Sequence, residues 1–543
     1  MLRERATSPA VIVGAIIAAG SLGLYLATIA PSLTFGYRSI GMDGGELLAA
    51  AYTVGIPHPP GYPTYMLLLK LFGTIVPIGD FAFRGNLFSA LTASASVGLL
   101  YWTTYRFCRY LAPDGRRALW IAASALGSAA FAASPIFWSQ AVITEVYTLN
   151  TLFIGVLLVI ASELGLRLQG EAELTEKQVT ARMTAFGLTL GLGLGNHLTL
   201  LAVAMPLLAW LWVRLDRSSV VSPWPVAALV IGLSIYLYLP IRAAQNPPVN
   251  WGDAGTLDGM AWMLSGRAYQ DYVFGVPFDS VPDRLEAWAR FVFSQFHPLG
   301  IFLGLMGTAP LWTKERTFLL ASLASIIGLT VYSVSYWTVD FEVLTIPTYL
   351  VFSVWVGVGA QRLLSGISDW AGSVREKRWP RAVITTRTFW LLVLVGFAAL
   401  PATTIVLNYS EQDRRNDRLA LELARGIMDS VPDGSLILAA DEARTFSLWY
   451  LSYVEQRERD VVPISAPLLQ FDWYWRDTHE RYPDRFPPAP PDDPEQIMST
   501  IMDHAGDDGI YFTYWHPFLA ENFDLQSNGA IYHALPKKTA GAE

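Results

Sequence analysis

Long apolar runs separated by short charged stretches fill the first three quarters of the chain, and then the pattern changes. About 20 apolar residues are enough to cross a bilayer as a helix. Runs approaching that length occupy residues 9–30, 86–107, 119–133, 146–166, 225–239, 291–312, 318–337, 344–364 and 390–407. Residues 183–213 are too long for one ordinary span, and Gly195-Asn196-His197 offers a break, so two short helices are predicted there. The pattern thus predicts about 11 spans. Residues 65–76 are apolar but short for a crossing, which predicts an interfacial or re-entrant dip. Loop charge supports the dip: it places Arg106, Arg109, Arg116 and Arg117 on the same inner side as Arg3, Arg5, Arg217, Lys314, Arg375 and Arg381.

From residue 409 the periodicity is that of a water-soluble unit. Short strands are predicted at 435–440, 460–465 and 509–514, with helical stretches at 413–428, 446–454 and 495–504. Strands alternating with helices imply a small α/β domain. Five prolines within 486–494 mark a surface loop. Two domains follow: a membrane domain over 1–408, and an α/β domain over 409–543 on the outer side.

Composition agrees. The chain of 543 residues is 52% hydrophobic and 15% charged, with a mean hydropathy of +0.35, well short of the charge a soluble protein carries. Of its 46 acidic and 38 basic residues, 24 and 12 follow Asn408, so the outer domain is strongly acidic. That balance argues against nucleic acid as a partner. Cys108 is the single cysteine, which excludes an intramolecular disulfide and a cysteine metal cluster. The first apolar run lacks a convincing cleavage site after it and reads as an uncleaved anchor.

Candidate chemistry collects just after the first span, in Met42-Asp43-Gly44-Gly45-Glu46 and Ile56-Pro57-His58-Pro59-Pro60-Gly61-Tyr62-Pro63. Two acids three apart share one face of a helical turn, and the glycines between them allow close approach. Four prolines in seven residues stiffen the loop that follows. One acid could be a helix cap; two beside Gly-Gly and a proline wall point to a general base. Glu145, at the outer end of a span, reads equally as a helix-start carboxylate or as a second site acid. His197, at the helix break, caps that break or lines a cavity. Arg242 is an external arginine and calls for an anionic partner, an acid or a phosphate. Trp251 lies in an aromatic loop that could stack on a sugar or belong to the interfacial belt. Asp340 and Glu342 read as possible loop solubilisers. No spacing matches a metal site or a Ser/His/Asp triad.

Asp43-Gly44-Gly45-Glu46 with His58-Pro59-Pro60-Gly61-Tyr62-Pro63 resembles the signature of a bacterial membrane family long known only as a domain of unknown function. Its eukaryotic relatives include an endoplasmic-reticulum protein O-mannosyltransferase acting on plexins and related receptors. The resemblance continues through residues 138–150, 191–201, 238–253 and the tail around Trp449-Tyr450. More distantly the chain is similar to the GT-C glycosyltransferases, in which a first-loop acid precedes a Pro-Pro segment, an arginine (here Arg84) and the second span. The adjacent Asp-Glu common in that group is replaced here by acids three apart, so either Asp43 or Glu46 can be the base.

The resemblance implies a polytopic, mostly α-helical GT-C protein in the bacterial cell membrane with its α/β domain extracytoplasmic. The implied donor is a polyprenyl-phosphate sugar, mannose-like, lying in the membrane lipid; the acceptor is a hydroxyl of a protein or glycan. Asp43 or Glu46 takes the acceptor's proton, one displacement inverts the sugar, and Arg242, His58 and His197 are candidates to steady the phosphate. No cofactor and no metal are implied. The competing reading is a transporter or flippase of lipid-linked saccharides, which would require polar residues deep within several spans.

Overall fold

The computed structural model describes residues 8–36, 43–215, 222–377, 386–455, 460–493, 496–505, 510–529 and 531–537. Arg3, Arg5, Met42, Arg217 and Arg381 lie outside them, and the side chain of Arg375 is likewise not described. Among the described residues, seven helices are long and apolar enough to cross a membrane: Pro9–Leu26, Tyr147–Gly165, Pro223–Ala243, Phe278–Lys314, Arg316–Ser335, Phe341–Ala371 and Trp390–Gln412. An eighth span results if Arg117–Ala132 and Pro135–Ala141, bent by 68° at their junction, count as one. The protein is a multi-pass membrane protein.

The helix count is roughly consistent with the expected 11 spans, since a helix stands in each expected place; length and hydropathy taken strictly leave out the shorter or more polar ones. Phe81–Leu111, of 31 residues, is long but carries a polar stripe of Asn86, Ser89, Thr92, Ser96, Thr103 and Thr104 that lowers its hydropathy. These residues are buried against neighbouring helices, and Thr92, Ser96 and Thr104 donate to carbonyls one turn back at 2.7–2.9 Å. The run at 183–213 splits as expected, into Glu176–Leu194 and Leu201–Arg214 joined by a tight 3-10 turn, Leu198–Leu200. Gly191 in the first of these lets a neighbouring helix approach: a Cβ there would lie 2.8 Å from the Cα of Gly232 on the Pro223–Leu233 helix. Pro63–Ile75 is a 13-residue helix, short as the dip requires.

After Gln412 the chain forms a five-stranded sheet in the order β2-β1-β3-β5-β4, with β1 Leu436–Ala439, β2 Val462–Ser465, β3 Ile510–Phe512, β4 Phe523–Asn528 and β5 Ile531–Pro536. The first three are parallel, and β3, β5 and β4 are antiparallel. Alternation along β1 sends its residues to different cores. Leu436 and Leu438 join Val462, Ile464, Trp475, Phe486 and Ile501 in a core internal to the domain. Ile437 and Ala439 face the other way, into a core shared by Leu47, Leu48 and Tyr65 of the first-loop region and Leu421, Leu448 and Trp449 of the tail. The α/β domain is therefore fused to the first loop by common apolar packing.

Candidate active site

Asp43 occupies the N-cap position of the Gly44–Thr53 helix, but its carboxylate makes no capping hydrogen bond. Glu46, in the first turn, is completely buried. The two acids diverge: Asp43 lines a cavity of about 880 Å³, and Glu46 does not. Gly45 admits the chain's own tail, since a Cβ there would fall 2.6 Å from the carbonyl oxygen of Phe446.

His58 joins the acids. Its Nδ1 makes a short contact with Glu46 Oε2, its backbone N–H donates to Glu46 Oε1 at 3.2 Å, and its Nε2 lies 2.9 Å from the Tyr62 hydroxyl and 3.7 Å from Asp43 Oδ2. Burial works against charge on the imidazole, but Glu46 and Asp43 outweigh it and raise its pKa to about 10. Burial also raises the pKa of Glu46, which would favour a neutral acid, whereas the raised His58 favours an ion pair. The ring faces the two carboxylates of Glu46 and Asp43 and the Tyr62 hydroxyl, which can accept, so we assign the proton to His58. Edge contacts from Trp251 at 6.1 Å and Tyr269 at 6.0 Å fix the ring's plane.

His197 fulfils both readings of the sequence. Its Nδ1 accepts from the Thr199 backbone N–H at 3.2 Å, capping the turn after the break, and the ring lines the cavity between Tyr62 and Tyr147. With Nδ1 accepting, a neutral ring carries its proton on Nε2.

The other three predicted residues lie off this cavity. Arg242 donates to the backbone carbonyls of Val54 and Thr53 and to Gln245 Oε1, bracing the C-terminus of the Gly44–Thr53 helix. Its anionic partner is thus a helix end. Trp251 is buried; its backbone N–H donates to Ile56 at 3.1 Å and its ring buttresses His58. Glu145 is buried on a small neighbouring recess, where burial foremost, and Asp43 next, push its pKa well up.

Sequence reasoning missed much of the wall. Tyr62, Tyr147, Tyr269, Tyr272 and Tyr336 line the cavity, as do Asp340, passed over as a solubiliser, and Glu442 and Phe446 of the α/β domain. Burial raises the pKa of Asp340. Tyrosine density in the external loops was the available signal; nothing in the sequence linked residue 442 to residue 43. Most of the cavity's remaining wall is apolar, including Leu198, Leu201, Ala202, Leu329 and Leu344, with Thr199, Ser265, Gln270 and Thr338 interspersed. Among the described residues no lysine or arginine lines it, and no group of three or more His, Cys, Asp or Glu is placed to hold a metal ion.

Residues 43–222 match the family model described as the N-terminal domain of the protein O-mannosyl-transferase TMEM260. The chain is 25% identical over 488 residues to protein O-mannosyl-transferase TMEM260 of Mus musculus, covering 84% of this chain and 63% of that protein. It is 23% identical over 482 residues to the Dictyostelium discoideum protein of the same name, covering 81% and 56%. The chain thus spans less than two thirds of the length of these relatives. Among solved structures, ArnT from Cupriavidus metallidurans bound to undecaprenyl phosphate superposes with a TM-score of 0.56 at 14% identity, covering 98% of both chains. The chain is related in sequence to the TMEM260 protein O-mannosyl-transferases and has the fold of the GT-C glycosyltransferases.

Proposed function

We propose that the protein is an inverting membrane glycosyltransferase that moves a mannose-like sugar from a polyprenyl phosphate to a hydroxyl acceptor, protein or glycan, on the outer face of a bacterial cell membrane. The observation that carries this is a single cavity with two chemistries. Asp43, His58 and His197 furnish one part, and apolar residues at the membrane-spanning helices furnish another. A lipid-linked sugar has the same division: a polar head and a hydrocarbon tail.

The steps are simple. Asp43 accepts the proton of the acceptor hydroxyl as that oxygen attacks the anomeric carbon. The bond to the phosphate oxygen breaks on the opposite face, and its electron pair leaves with the polyprenyl phosphate. A phosphate needs no general acid to depart, only stabilisation of its charge. His58 takes that role as an imidazolium, with His197 Nε2–H as a second donor. Glu46 keeps His58 charged and oriented, so it is a positioning residue. Neither a cofactor nor a metal enters this scheme, and the α/β domain is extracytoplasmic with the cavity.

The test uses the full chain in liposomes with undecaprenyl-phosphate mannose and a serine/threonine-rich peptide. The expected products are α- or β-mannosyl peptide of inverted anomeric configuration and undecaprenyl phosphate in equal amounts. Transfer from GDP-mannose in the absence of lipid donor, or retained configuration, contradicts the reading. Movement of intact lipid-linked sugar across the bilayer without peptide labelling would favour the flippase reading instead.

A further inference from the structure

The α/β domain contributes a wall of the cavity through one helix, Glu442–Tyr453. That helix packs directly on Gly44–Thr53, as the Phe446 carbonyl against Gly45 shows. Its first two acids behave differently. Asp441 is the N-cap: its Oδ1 accepts from the Arg444 backbone N–H at 2.9 Å, and its Oδ2 pairs with the Arg444 guanidinium. The capping duty that an acid at a helix start normally performs is therefore filled.

Glu442, one residue on, lines the cavity together with Asp43, His58, Tyr269 and Asp340. It makes no hydrogen bond or ion pair with another described residue. Its side chain is exposed by surface area, because the cavity admits solvent, yet it is surrounded by protein on the cavity's other sides. This enclosure foremost, and then the Asp43 carboxylate, raise its pKa to about 7, with His58 opposing and Glu46 and Asp340 adding to the rise. A carboxyl group poised between its two forms both donates to and accepts from alcohols.

The geometry points to Glu442 as a substrate-contacting residue, supplied by the α/β domain, that hydrogen-bonds a hydroxyl of the reacting pair, either on the donor's sugar or on the acceptor. This rests on the proposed glycosyl transfer and adds to it a role for the second domain in specificity. The shared chemistry is a polyhydroxyl ligand; the two sources separate by experiment.

The experiment compares wild type, Glu442→Ala and Glu442→Gln as full chains in liposomes, with undecaprenyl-phosphate mannose and the serine/threonine-rich peptide. Glu442→Ala is expected to raise one KM about tenfold, the loss typical of a single hydrogen bond to a charged group. A rise in the donor's KM assigns the sugar, and a rise in the peptide's KM assigns the acceptor. Glu442→Gln, which still donates and accepts, is expected to restore most of that loss and to remove the inflection near pH 7 from the affected KM. Gln, having the shape of Glu, would also rescue a residue that only packs, but such a residue would show no inflection near pH 7 to lose. In parallel, binding of undecaprenyl-phosphate mannose and of undecaprenyl phosphate is measured without acceptor. Unchanged KM values and pH profile in both variants, with normal wild-type transfer, overturn the role of Glu442 alone. Absent wild-type transfer, with no preference for the mannosylated lipid over the bare one, overturns the function and this inference with it.

Discussion

Glu46 and Asp43 looked interchangeable in the sequence, and burial separates them. Glu46 is completely enclosed and bonded to His58, whereas the Asp43 carboxylate lines the cavity, 3.7 Å from His58 Nε2. This makes the protonation of His58 the quantity to test. Its folded pKa, raised to about 10, stands above the ordinary 6.5, so the stability it lends is complete below about pH 6.5 and lost as pH rises through 10. Glu46→Gln removes the partner that raises it most and leaves burial, which lowers it. In a titration of undecaprenyl-phosphate binding, wild type should hold its affinity through pH 8, while Glu46→Gln should lose it as pH rises through the ordinary histidine range. Parallel curves would deny His58 its charge. Arg242 was misjudged for a different reason: an external arginine needs an anion, but carbonyls at a helix end supply partial negative charge too. Arg242→Ala should lower unfolding free energy by about 1.5–3 kcal/mol, the range for hydrogen bonds to a charged group, with donor affinity per folded molecule unchanged. A thermal melt and a binding isotherm on the same sample separate the two effects.

At the scale of elements, apolar periodicity made most helices legible, because each must bury or expose a hydrocarbon face over many residues. The three parallel strands, β1 to β3, were legible for the same reason. The β4–β5 hairpin was not: its first strand is largely exposed, so the alternation that betrays a half-buried strand is missing. Asn528-Gly529 was the signal available, a pair that favours hairpin turns. The Asp472–Arg481 helix was missed too, being polar and aromatic, with only Trp475 and Thr478 buried. Its importance is positional. Arg481 donates to the carbonyls of Asn246, Pro247 and Pro248 at 2.7–3.1 Å, and Asp477 accepts from Asn250 at 2.8 Å. These contacts dock the tail on the external loop at 246–250, and Gly45 against Phe446 docks it on the first loop. Gly45→Val should force those two helices apart and destabilise by about 1–3 kcal/mol, the cost of overpacking a close contact. Transfer should fall, and limited proteolysis should release the 419–537 region faster than from wild type. Unaltered proteolysis with unaltered transfer would show that this contact is dispensable.

Viewed whole, the molecule divides less cleanly than its sequence. The acidic tail reads as a separate domain by composition, and its fold is indeed α/β, but one core runs from Leu47 and Tyr65 to Leu421 and Trp449. Contacts between residues some 400 positions apart leave no periodic trace in either segment, so this fusion was illegible from one sequence. The consequence is a cavity built by the first loop, the external loop at 265–273, membrane-spanning helices and the tail together. Of the three acids on its wall, Asp43, Asp340 and Glu442, Asp43 lies beside His58, 3.7 Å from its Nε2, and is the base in the proposed reaction. The most direct measurement replaces Asp43 with asparagine in the full chain, then follows donor binding and sugar transfer on the same folded protein. The account predicts that transfer falls about 10²- to 10⁴-fold, as when general-base assistance is lost, while donor affinity is kept. Wild-type transfer by Asp43→Asn would contradict it.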